Sequence, residues 1–214
     1  LDRPRLSLQE THGGRCFSSF AAAALGERFD ALLDPAEARV VAVGRGFLIA
    51  NKDLSVHHSH LPRALEAMLT ERLEAGDARA ACPENAVIGV DDAFYVRFRD
   101  GHTEWHGPIS FSCAVAENPH QLASVAFGES GGWVIVCDDG TIKFDNVPSE
   151  LAKVLLASQK MGSKQISEVS MGANTQWFVR FNDNSWTGHL VSPELNDVVN
   201  FFQASAGDVQ GCSL

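Results

Sequence analysis

Short runs of aromatic and β-branched residues recur along the chain at nearly even spacing, each followed by turn-forming residues. They are Phe47-Leu-Ile-Ala, Phe94-Tyr-Val-Arg-Phe, Trp133-Val-Ile-Val-Cys and Trp177-Phe-Val-Arg-Phe. Runs of this length and composition predict strands. A second short apolar run precedes each one: Val41-Ala-Val, Val87-Ile, Val125-Ala-Phe and Val169-Ser-Met. Glycine-containing stretches separate the two runs and predict a turn between paired strands. A third run follows, for example Thr141-Ile-Lys-Phe144 or Ser185-Trp-Thr-Gly-His189.

The register of these runs defines a repeat. The aromatic anchors Phe47, Phe94, Trp133 and Trp177 lie 47, 39 and 44 residues apart, and each is followed six residues later by Asp53, Asp100, Asp139 or Asp183. Gly89, Gly128 and Gly172 precede the last three anchors by five residues, and Arg97 and Arg180 occupy equal places. Asp-Gly, or Asp183-Asn184, tolerates positive φ and predicts a tight hairpin. The anchors therefore read as core and the aspartates as turn residues.

Beyond the third strand the apolar period changes from two to three or four. Ser192-Pro193-Glu194 offers a cap, a first-turn proline and a first-turn acid, with Leu195, Val198, Val199 and Phe202 on one face. Pro148-Ser-Glu-Leu151 with Val154 and Leu155 repeats this, and Leu61-Pro62 opens a longer copy with Leu65, Met68, Leu69 and Leu73. Residues Ile109 to His120 read as irregular. Cys16 to Leu33 predicts a helix, with Phe17, Phe20, Ala21, Ala24 and Leu25 on one face. The expected architecture is an α+β repeat protein of about four β-β-β-α units, arranged as a propeller-like ring or an open curved stack. Neighbouring units bury faces that no unit can bury alone. The boundaries expected are a flexible segment over 1–15 and a single repeat domain over 16–204. That domain comprises a capping helix over 16–33 and units near 39–76, 85–120, 123–160 and 167–204. A tail over 205–214 completes the chain.

Trp177 to Asp183 with Pro193 to Leu195, Phe94 to Gly101, and Trp133 to Gly140 with Pro148 to Leu151 carry a W-F-V-R-F-x-D-G pattern. The pattern resembles short tandem repeats of uncharacterised algal and protist proteins, a resemblance that transfers no activity. Four units of this size also resemble, more weakly, four-bladed propellers of the hemopexin-like kind. That resemblance implies a disulfide joining the chain ends, for which Cys16 and Cys212 stand in suitable places. The other cysteines, Cys82, Cys113 and Cys137, form no C-x-x-C pair with any other.

Composition narrows the function. The 214 residues carry 17 Lys and Arg against 27 Asp and Glu, a net charge of −10. That balance disfavours a nucleic-acid partner, whose phosphates need clustered cations. No apolar run reaches the roughly 18 residues of a membrane helix, so no transmembrane segment is expected. The chain opens Leu1-Asp2-Arg3-Pro4, which suggests a processed product or fragment and leaves an organellar lumen or stroma open as its address.

Candidate chemistry is confined to the third strands. Alternation places His58 with His60, and His102 with Glu104 and His106, on single faces. Imidazoles with a carboxylate suit a transition metal; no other cofactor is implied. Trp105, Trp186 and His189 are candidate ligand-stacking residues. No P-loop, dinucleotide fingerprint, nucleophile elbow or H-E-x-x-H motif occurs. The leading expectation is a non-enzymatic repeat domain that binds a protein partner as an accessory or linker subunit of a larger assembly. The alternatives are a lectin-like propeller binding carbohydrate or another small ligand, and a metal-dependent enzyme using the His/Glu face.

Overall fold

A computed structural model describes residues 15–16, 37–43, 46–117, 122–161, 165–172, 174–190 and 210–212. Within them the recurring apolar runs form four three-stranded antiparallel sheets. The first holds β2 (Ala38–Val43), β3 (Phe47–Asn51) and β4 (Val56–Ser59); the second holds β5 (Pro83–Ile88), β6 (Phe94–Phe98) and β7 (Thr103–His106). The third holds β8 (Leu122–Phe127), β9 (Trp133–Cys137) and β10 (Ile142–Asp145); the fourth holds β11 (Ile166–Met171), β12 (Trp177–Phe181) and β13 (Trp186–His189). The anchor run is the middle strand of every sheet, and each unit is a meander of its three strands.

Helices follow the first three sheets: α1 (Arg63–Glu74) with the short α2 (Ala78–Ala81), then α3 (Ile109–Glu117), then α4 (Ser149–Met161). The helix predicted after Ser192 lies outside the described residues. Helix α3 corrects the expectation of an irregular Ile109–His120. Its sequence, Ile-Ser-Phe-Ser-Cys-Ala-Val-Ala-Glu, has mostly weak helix formers and few charged residues to mark a solvent face. Burial of Phe111, Ala114 and Val115 at i, i+3 and i+4 supplies the stabilisation that propensity does not. In α1, Leu65 and Leu69 are buried, whereas Leu73 is 42% exposed and leaves the predicted face.

The core lies between successive sheets. One cluster joins Leu48 and Ala50 of β3 with Leu65 and Leu69 of α1 and Phe94, Val96 and Phe98 of β6. The next joins Tyr95 on the other face of β6 with Phe111 of α3 and Trp133, Ile135 and Cys137 of β9. The third joins Val134 and Val136 with Leu151 and Leu155 of α4 and Trp177 and Val179 of β12. Each middle strand is thus buried on both faces, which explains its unbroken apolar run. Phe47 and Ile49 of the first sheet and Phe178 of the last are also buried, at 2%, 0% and 1% exposure, so the outward faces of the end sheets are covered too.

The first strands of consecutive units adjoin: β2 with β5, β5 with β8, and β8 with β11. Every first strand carries a one-residue register shift against its middle strand, at positions 39, 84, 123 and 167. A bulge repeated at one place increases local twist in each unit. Between the last two units the buried Ser124 hydroxyl accepts from the Val169 amide at 3.1 Å, a polar tie across an otherwise apolar seam.

The chain ends meet. Strand β1 (Arg15–Cys16) pairs in parallel with β14 (Gln210–Cys212), and Cys16 stands opposite Cys212 in the register. Cys16 is therefore in a strand and not in the predicted helix; residues 17–36 lie outside the described residues. The predicted tail likewise contributes a paired strand at 210–212, and the predicted flexible segment contributes Arg15.

Candidate functional site

The recurring polar residues serve the turns. The Oδ1 atoms of Asp53, Asp100, Asp139 and Asp183 accept from the amides of Ser55, His102, Thr141 and Ser185, at 2.8–3.0 Å. Each aspartate sits in a three-residue loop, and the residue after it takes positive φ: Leu54, Gly101, Gly140 and Asn184. The tight hairpin expected from Asp-Gly and Asp183-Asn184 is present, with the positive φ taken by the Gly or Asn and not by the Asp. Its carboxylate caps the loop instead. A backbone bond from His102 holds the Asp100 carboxyl below its ordinary range, and the Ser55 hydroxyl does the same for Asp53.

The anchors are core residues. Phe47, Phe94, Trp133 and Trp177 are all at most 5% exposed. Trp133 donates Nε1–H to Ser110 Oγ at 3.0 Å, and that hydroxyl donates to Asp145 Oδ2 at 2.8 Å. This chain fixes the start of α3 to the third sheet. The repeated arginines are half-buried and paired, Arg97 with Glu84 and Arg180 with Glu168, both at 3.3 Å.

The third strands bring only part of the predicted metal set together. His102 Nε2 lies 2.8 Å from Glu104 Oε1, with both side chains nearly half-exposed. His106 instead stacks on Phe94, with ring centroids 6.3 Å apart. His58 lies within β4 with an enclosed Nδ1 that has no hydrogen-bond partner among the described residues, and His60 follows the strand at φ 52°. Among the described residues no three His, Cys, Asp or Glu side chains converge as a metal would require. Of the ligand-stacking candidates, Trp105 is half-buried against the core between the second and third sheets. Trp186 stacks on Phe178 at 5.6 Å with its Nε1 enclosed, and His189 is exposed.

A feature without a sequence signal lies where the first two units meet. An open cavity of about 400 Å³ is lined by Leu54, Arg79, Glu84 and Arg99. These residues come from the β3–β4 hairpin, α2, the β5 bulge and the β6–β7 hairpin, so no local spacing could reveal them. Arg72 and Arg97 stand close by but are committed: Arg72 donates to Ala80 O at 2.7 Å and Asp100 Oδ2 at 3.0 Å and lies over Phe98, and Arg97 donates to Leu122 O at 3.2 Å.

No family model matches the chain, and no curated protein matches it. Solved structures show distant similarity. A virginiamycin B lyase from Staphylococcus aureus is 10% identical, with a TM-score of 0.22, covering 69% of this chain and 49% of that one. A streptogramin B lyase is 12% identical, with a TM-score of 0.22 and coverage of 69% and 48%. YCF48 bound to a D1 peptide is 11% identical, with a TM-score of 0.29 and coverage of 76% and 52%. The chain spans about half the length of these proteins, and at these TM-scores the superpositions support no functional assignment.

Proposed function

We propose that this chain is a non-enzymatic repeat domain that binds a protein partner, as an accessory or linker subunit of a larger assembly. One observation carries the reading: the residues that recur from unit to unit are consumed by the fold. The anchors fill the core, the aspartates cap loops, and the arginines pair with acids. A scaffold whose repeated residues all hold structure leaves its unrepeated surface for recognition. On that surface Ile109 is 85% exposed at the start of α3, and Leu73 and Leu156 on α1 and α4 are 42% and 44% exposed. The units fit a propeller-like ring better than an open stack, since β1 pairs with β14 and the outward faces of both end sheets are buried.

The test is recovery of the native chain from its source under mild conditions, followed by sizing and mass spectrometry. A stoichiometric protein partner is expected, and Ile109→Asp should weaken its capture while leaving the thermal midpoint within a few degrees. A strictly monomeric chain with no partner, together with hits on a glycan array, would replace this reading with the lectin-like one.

A further inference from the structure

We infer that the cavity between the first and second units is a binding site for a carboxylate that carries an apolar neighbour, as in the end of a peptide or a small branched acid. The inference does not rest on the docking role above and can fail alone.

Charge is the first argument. Four arginines gather at this junction in a protein whose net charge is −10. Arg72 and Arg97 are held by carbonyls and by Asp100 and Glu84. Arg79 and Arg99 line the cavity, and among the described residues neither guanidinium has a hydrogen bond or ion pair. Among the described residues, Glu84 lines the cavity and forms an ion pair with Arg97 at 3.3 Å, Asp100 pairs with Arg72, Asp77 caps α2 by accepting from the Arg79 and Ala80 amides, and Asp53, beside Leu54, accepts from Ser55. The two uncommitted cations therefore remain available to a planar anion, which guanidinium matches with paired donors.

Backbone geometry is the second argument. At the corresponding hairpin corner the other units place Gly101, Gly140 and Asn184, residues suited to positive φ, whereas the first unit places Leu54 at φ 74°. A branched side chain in that region is strained. Leu54 forms a wall of the cavity and touches the adjoining core cluster, giving the arginines an apolar neighbour. The volume lies within the range of small-ligand sites, about 300–1,000 Å³.

N-acetyl-leucine and its uncharged amide are the direct probes, titrated into the purified chain and followed by NMR at low salt. The acid should bind saturably at millimolar concentration, and the amide at least about fivefold more weakly, because only the acid offers a charged acceptor. Arg79→Ala and Arg99→Ala should each weaken the acid, and Arg99→Lys should restore part of the loss. Leu54→Asn, which suits the backbone, should weaken the acid without unfolding the chain. A peptide ending in free leucine that binds more tightly than N-acetyl-leucine would assign the site to chain ends, and equal binding would assign it to small acids. Absence of saturable binding, equal affinity for acid and amide, or indifference to both arginine substitutions would overturn the site.

Discussion

Single residues do two kinds of work here, and their chemistry separates them. Gly101 takes φ +87° with no atom within 4 Å of a Cβ built on it, so its value is purely conformational. Gly101→Ala should cost about 1–2 kcal/mol in urea unfolding with an unchanged denaturant slope. Gly89 has no positive φ; a Cβ there would overlap Phe127 of the next unit. The two glycines look alike in the sequence, yet one serves a turn and the other a seam. Asp100 supports a pH prediction. Its folded pKa is depressed from the ordinary 3.8 by the His102 amide and further by Arg72. A depressed carboxyl favours the fold above its unfolded pKa, and that contribution is lost as pH falls through the lower folded value. Thermal midpoints measured downward from pH 5 should fall through this window, and Asp100→Asn should flatten the decline.

At the level of elements, packing overrides propensity in α3. The segment has weak intrinsic helix tendency, yet Phe111 is fully buried and meets Phe127 and Trp133 edge-on at 4.7 and 5.7 Å. Phe111→Ala should cost about 3–5 kcal/mol by transfer and cavity terms, read from chemical unfolding. Helices α1 and α4 were readable from their period because charged residues mark their outer faces; α3 was not. The bulges at 39, 84, 123 and 167 also left no sequence mark, because a bulge is defined by what the partner strand does.

At the scale of the molecule, stability lies in the seams between units. Gly89→Ala tests one directly. Phe127 must shift, and overpacking of this kind costs about 1–3 kcal/mol. Calorimetry should show a lower midpoint, and a single transition if the seams couple the units. The candidate site belongs to this scale too. Leu54, Arg79, Glu84 and Arg99 span 46 residues and four separate elements. The sequence drew attention to the histidines and tryptophans of the third strands, because those residue types signal chemistry by themselves. Of that set the fold joins His102 to Glu104 and holds His106 against Phe94.

The amino-acid sequence by itself determined the unit: its strands, its anchors, its aspartate loops and its period. These are local properties, governed by side-chain shape and backbone preference within a few residues. Tertiary structure alone decided which glycine meets a neighbour, which weak segment becomes a helix, how the chain ends pair, and which arginines remain uncommitted. Those outcomes depend on contacts between residues far apart in the chain, and burial and charge pairing are set only when the units come together.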